Sequence, residues 1–174
     1  MRAVTRYVIG IDPGAVSGIA VVTLSPKPEL VSFAKVRLDK GALPSKELLA
    51  HKSRDIAAVA IESQYVAVNI STAIRLAQTA GRWEEAALAT LGIGCETGSN
   101  SPVAYLYWVK PNEWQSHMLK GFVGKRAKRK QRKDAAISVA LYRWGKQLES
   151  DVADAAMIAA FQSERMAFEM RIKR

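Results

Sequence analysis

The 174-residue sequence has one cysteine, Cys95, and two histidines, His51 and His117. A lone cysteine excludes an internal disulfide, and with two distant histidines it excludes the ligand spacings of a zinc site. Any metal must therefore be held by oxygen. No apolar run approaches a membrane span, and Met1 to Arg6 lead straight into a strand pattern without the architecture of a signal peptide. The expectation is a soluble, intracellular, cytoplasmic protein with no membrane partner. Repeats, linkers and low-complexity segments are also missing, apart from one basic run, so a single domain over 1–174 is expected.

What is present is an ordinary core and an excess of positive charge. Hydrophobic residues make up 49% of the chain and charged residues 24%, which argues against global disorder. The net charge is +10, and seven of its cations lie in "KRAKRKQRK" (125–133), without which the rest carries only +3. Charge concentrated in this way points to an anionic partner, nucleic acid foremost; a solvated run or a localisation-type signal is the alternative.

Residues 4–12, 18–24 and 29–38 are β-branched or apolar and separated by Pro/Gly turns, which predicts three successive antiparallel strands. A loop with one short helix fills 38–55, and "IAAVAIE" (56–62) is a buried-type strand. From Asn69 to Leu91 the apolar positions Ile70, Ala73, Ile74, Ala77, Ala87, Leu88 and Leu91 recur at helical spacing, with Asn69 as N-cap and Gly92 as stop. A strand follows at 103–109, then a short helix opened by Pro111 and running through Met118. Ile137, Ala140, Leu141 and Trp144 mark a further helix closed by Gly145, and a last helix runs from about Asp151 towards Met170. The order argues an α/β fold, a mixed sheet flanked by helices. In "YLYWVKPNEW" (105–114) Tyr105 and Tyr107 alternate as in a strand, and packing is the expected role of Trp108 and Trp114.

Four carboxylates stand out. Asp12 ends an apolar strand in "VIGIDPG", where by itself it reads as a turn residue. Glu62 ends a second apolar strand, a place where glutamate has no turn-forming reason to be; a solvated strand end is the bland alternative. Asp151 and Asp154, three apart at a helix start, share one face that continues as Ile158 and Phe161. Capping by Ser150 or Asp151 and the helix dipole account for Asp151. They do not account for Asp154, in line with core positions. Strand ends and the start of a helix lying across them can converge, and four converging carboxylates repel one another unless cations neutralise them. All-oxygen ligation suits Mg²⁺ or Mn²⁺, two of which about 3.5–4 Å apart would stabilise the attacking and leaving oxygens of a phosphodiester displacement.

These segments resemble the Holliday-junction resolvases of the RuvC type, in the ribonuclease H-like superfamily, as a divergent or phage-type member. "IGIDPG" (9–14) resembles the first catalytic segment. "AIESQYVAVNISTAIRLAQTAG" (60–81) resembles the second and carries most of the discrimination, and "SDVADAAMIAA" (150–160) resembles the third. The resemblance implies a ribonuclease H-like five-stranded mixed sheet, three strands antiparallel and two parallel. It also implies a homodimer using the long helix from Asn69, and two Mg²⁺ ions per active site (Mn²⁺ as the other option) held by the catalytic residues Asp12, Glu62, Asp151 and Asp154. Each subunit would hydrolyse one strand of a four-way DNA junction, leaving a 5′-phosphate and a 3′-hydroxyl. Tyr65 matches an aromatic that stacks near the opened junction.

Between Val109 and Ile137 the chain does not align with cellular members without gaps, so the DNA-binding candidates there, Lys125, Arg126, Lys128, Arg129, Lys130, Arg132 and Lys133, rest on charge. Lys133 is the nearest match to a family lysine. A nuclease for other branched DNA or structured RNA on the same fold is the alternative reading. An actin-like ATPase or sugar kinase would need two large lobes, and a non-catalytic nucleic-acid binder would have no use for four acids.

Overall fold

The computed structural model describes residues 5–38, 41–63, 70–93, 104–124 and 126–173. Three strands, Arg6–Asp12 (β1), Ser17–Thr23 (β2) and Leu30–Val36 (β3), form an antiparallel meander. Asp55–Glu62 (β4) runs parallel to β1, and Tyr105–Val109 (β5) parallel to β4, giving the order β3-β2-β1-β4-β5. This is the expected mixed sheet, three strands antiparallel and two parallel. The helices are Ser45–Leu49 (α1), Ile70–Leu91 (α2), Pro111–Met118 (α3), Arg129–Trp144 (α4) and Ser150–Ile172 (α5). Among the described residues no helix is long and apolar enough to cross a membrane.

Because strand side chains alternate between faces, the sheet has two unlike sides. Ile9, Ile11, Ile19, Val21, Val59 and Ile61 bury one face against Leu48 of α1 and Trp83 of α2. The opposite face carries Val8 and Val22 at one end but is small at its centre, where Gly10 lies between Ala20 and Ala60 in the register. Against it lies α5, with Ala153, Ala155, Ala156, Ala159 and Ala160 buried. A Cβ at Gly10 would fall on the Ala155 carbonyl oxygen and 2.5 Å from the Ala159 nitrogen, and one at Gly18 on the backbone of Asp151. Glycine at these two places is thus what lets the backbone of α5 come so near the sheet.

Several details depart from the sequence reading. In α4 the buried stripe is Ala135, Ala136, Val139 and Ala140, while Leu141 is 52% exposed. Small residues win the inward face because α4 packs directly on α5. In α2 the expected stripe divides: Ala73, Ala80, Trp83, Ala86 and Ala87 are buried, but Ile70, Ile74 and Leu88 are exposed. Trp108 is exposed rather than packed, since β5 is the sheet edge and α2 packs over β4. The N-cap of α5 is Glu149, not Ser150 or Asp151, whose side chains are engaged elsewhere. Asn69, expected to cap α2, lies outside the described residues.

Candidate active site

Asp12 is the last residue of β1 and Glu62 the last of β4, and the parallel register Ile11 to Ile61 sets their strand ends side by side. Both follow the small residues Gly10 and Ala60 at a spacing of two, so both point to the face that α5 covers. There Asp154, one turn into α5 and only 9% exposed, completes a group of three. The turn after Asp12 is held by Ser17, whose Oγ accepts from the Gly14 N–H at 3.3 Å and from Trp83 Nε1 of α2 at 3.0 Å.

Asp12, Glu62 and Asp154 line a cleft of about 630 Å³ together with Arg129, Arg132 and Lys133 of α4. Asp151 stands beside it and is taken up by Lys133: Lys133 Nζ donates to Asp151 Oδ1 at 2.9 Å and to Ser150 Oγ at 2.9 Å, and lies 3.9 Å from Asp154 Oδ2. Glu62 Oε1 accepts from Trp114 Nε1 at 2.7 Å. Trp114, in α3, is 1% exposed. The expectation that it packs therefore holds, and it also carries a polar contact that its sequence position does not reveal. Arg132 Nη1 donates to Gln115 Oε1 at 2.9 Å, which fixes the cleft wall between α3 and α4.

The electrostatics follow from this crowding. Burial, then the charges of Glu62 and Asp154, push the Asp12 carboxyl well above its ordinary range. Burial, with Glu62 and Asp151 adding to it, raises Asp154 to about 7 against the pull of Lys133. Burial also raises Glu62, opposed by hydrogen bonds from Trp114 and Asp12. Burial works against Asp151 too, yet the hydrogen bond and charge of Lys133, with Ser150, hold it below its usual value. The ammonium of Lys133 is raised in turn: burial lowers it, and Asp151 and Asp154 outweigh that.

Among the described residues no three acid, histidine or cysteine side chains already surround one point at ligand distance. The donor chemistry nevertheless fits a hard divalent cation. Asp12 and Glu62 are buried close together and each raises the cost of ionising the site, while Lys133 pairs with Asp151 and lies 3.9 Å from Asp154. The Lys133 ammonium balances only part of this group of carboxylates, which leaves a call for further positive charge, and all the donors are oxygen.

Of the basic run, Arg126, Lys128, Arg129 and Lys130 are exposed, and Arg132 and Lys133 are half-buried against the cleft. Tyr65 and Lys125 lie outside the described residues. Residues that sequence reasoning missed are Trp114, Ser17, Gly10 and Gly18. Only the glycines left a signal, the alternation of small residues along three neighbouring strands.

No protein-family model and no curated protein matches the sequence. Solved structures do match. Thermus thermophilus RuvC in complex with a Holliday junction substrate is similar at 19% identity and a TM-score of 0.62, over 94% of this chain and 96% of that one. This chain has the RuvC fold, a ribonuclease H-like fold. A second Thermus thermophilus RuvC structure gives 20% identity and a TM-score of 0.61, over 94% of this chain and 96% of that one. The fowlpox virus resolvase in complex with its substrate Holliday junction DNA gives 16% and 0.51, over 92% and 98%. In the RuvC fold as this chain builds it, the cleft opens where β1 and β4 end under the first turns of α5.

Proposed function

We propose that this chain is a divalent-metal-dependent endonuclease that resolves four-way DNA junctions by phosphodiester hydrolysis. The observation that carries the reading is the meeting of Asp12, Glu62 and Asp154 in one cleft with Arg129, Arg132 and Lys133. Acids alone would repel DNA, and cations alone would only bind it. The likeness to two proteins described with Holliday junction substrates supports the junction as the nucleic acid.

Asp12, Glu62 and Asp154, with Asp151 beside them, are the residues to hold two Mg²⁺ or Mn²⁺ ions. Such ions, when bound, activate water and stabilise charge on the attacking and leaving oxygens of the scissile phosphate. Arg129 and Arg132 hold the phosphate in the cleft mouth. Trp114 orients the Glu62 carboxylate through its N–H and shields it from water. Lys133 keeps Asp151 ionised and adds positive charge beside the scissile group. Water attacks phosphorus and the bond to the 3′ oxygen breaks, leaving a 5′-phosphate and a 3′-hydroxyl. Two such cuts need two subunits. The homodimer is assigned to α2, whose Ile70 (72% exposed) and Ile74 (52%) form an apolar strip facing away from the sheet.

The test is cleavage of four-way, three-way, flap and linear DNA and of structured RNA, side by side at one salt concentration with Mg²⁺. The four-way junction is expected to be cut fastest, by symmetric nicks. Equal rates on all substrates would replace the resolvase with a broader branched-DNA or structured-RNA nuclease, and no cleavage in Mg²⁺ or Mn²⁺ would remove the nuclease reading.

A second expected outcome concerns Trp114→Phe, which keeps most of the buried ring and removes the donor to Glu62. Outer partners of metal ligands contribute on the order of 10–100-fold in metal affinity or activity. Mn²⁺ binding followed by electron paramagnetic resonance should weaken within that range while junction binding in EDTA is unchanged. Unaltered Mn²⁺ affinity would show that the hydrogen bond does not orient Glu62.

A further inference from the structure

The α4 helix is a ridge with two different flanks. Arg129, Arg132 and Lys133 face the acid-lined cleft, whereas Gln131, Asp134 and Ser138 line a second cavity of about 580 Å³ on the other flank. Phe122 and Arg126 close that cavity from the segment before the helix, and Ala127 lines both hollows. One turn beyond Ser138 on the same side stands Tyr142, 81% exposed, with its ring centroid 6.1 Å from that of Phe122, itself 45% exposed. The two planes meet at 58°, and the Tyr142 ring stands largely in solvent beside the groove that Phe122 lines.

Packing does not account for this pair, since Tyr142 is largely in solvent and Phe122 nearly half so. An apolar peptide is a poor occupant, because Gln131, Asp134, Ser138 and Arg126 place hydrogen-bonding groups along most of the groove. Arg126 lines the groove, and the exposed Lys128 and Lys130 follow it in the chain around the start of α4. The Gln131 amide oxygen already accepts from the Lys128 N–H and the Ser138 hydroxyl donates to the Asp134 carbonyl, so an unpaired nucleotide fits through what is left: a π face for the rings, a base amino group for the Asp134 carboxylate, and phosphates for the cations. Aromatic stacking is tolerant of sequence and available only to bases out of a duplex.

We propose that the groove between Phe122, Tyr142 and the outer flank of α4 receives an unpaired nucleotide of a DNA strand that crosses the start of α4 from the acid-lined cleft. The proposal rests on the nucleic-acid reading of the cleft but not on catalysis there. It adds a stacking platform to the charged run and places it on the far side of the helix from the acids.

The experiment is a fluorescence titration in EDTA, where no cleavage occurs, with full-length protein. The probes are single-stranded DNA and a junction with one unpaired arm, each carrying 2-aminopurine, and a linear duplex. The variants are Phe122→Ala, Tyr142→Ala, the double variant and Tyr142→Trp; Tyr142, 81% exposed, has little packing to lose, and unchanged duplex binding reports that Phe122→Ala keeps the fold. The double variant is expected to bind both unpaired probes about tenfold or more weakly, with duplex binding unchanged and 2-aminopurine quenching lost. Tyr142→Trp should bind and quench like the parent. Equal weakening on duplex and unpaired DNA, or undiminished binding to unpaired DNA, would overturn the proposal. So would unchanged DNA binding with lost self-association in ultracentrifugation, which would give the rings to a protein contact. Selective loss on unpaired DNA in a protein that cuts nothing in Mg²⁺ would uphold the groove and remove only the nuclease reading.

Discussion

Asp154→Asn is expected to abolish Mg²⁺-dependent junction cleavage while leaving junction binding in EDTA intact. The substitution keeps the size and hydrogen-bonding capacity of the side chain and removes the charge a divalent ion needs. Metal stabilisation of transition-state charge is worth several kcal/mol, so the loss is at least about 10³-fold in rate. Thermal melting supplies a second readout. Mg²⁺ should raise the Tm of the parent and not that of the variant, because an ion binds only the folded cleft. In EDTA the variant should melt no lower than the parent. Burial, with Glu62 and Asp151, raises Asp154 to about 7, so the folded state binds its proton more tightly than the unfolded one, and stability falls as pH rises through that range. Asparagine removes that cost. A variant with full cleavage activity would remove Asp154 from the catalytic group.

Gly10→Ala is expected to be among the most damaging single changes outside the acids. Its Cβ would meet the backbone of α5 at Ala155 and Ala159, which cannot rotate away as a side chain can. Overpacking of a core costs 1–3 kcal/mol, and a backbone collision lies at the upper end, about 3 kcal/mol or a Tm fall of about 6–12 °C. Cleavage should fall further than stability, because relief of the clash moves α5, and with it Asp154, away from Asp12 and Glu62. Gly81→Ala in α2 is the control. There an added Cβ meets nothing within 4 Å among the described residues, and the helix should gain about 1 kcal/mol. A Gly10→Ala protein that melts and cuts like the parent would show that α5 does not rest on this glycine.

The small-residue face also explains why the site is made as it is. A carboxylate at the end of a central strand is normally solvated. Here Gly10, Gly18, Ala20 and Ala60 admit α5 so closely that Asp12, Glu62 and Asp154 share one partly desolvated space. Desolvation strengthens every charge interaction within it. The same closeness makes the cations of α4 effective: Lys133 reaches Asp151 at 2.9 Å because α4 packs directly on α5.

The strands, the helices and the identity of the acids were legible from sequence because they depend on local rules. β-Branched and apolar runs between Pro/Gly turns marked β1 and β2, a continuous apolar run marked β4, helical spacing and Gly145 marked α4, and a glutamate closing the apolar run 56–62 had no local explanation. The partners of the site were not legible, because each depends on elements that meet only in three dimensions. Trp114 lies 52 residues from Glu62, Lys133 lies 18 from Asp151, and Ser17 lies 66 from Trp83. Periodicity also misplaced Leu141, Ile70, Ile74 and Trp108. It reports which positions are apolar, whereas burial depends on which neighbour covers them. Sequence therefore determined where the carboxylates sit along the chain and which cations accompany them. The tertiary structure alone decided which acids share a cleft, that Lys133 pairs with Asp151, and that an indole N–H donates to Glu62. Those outcomes turn on a few ångströms of approach between α5 and the sheet, a distance set by packing.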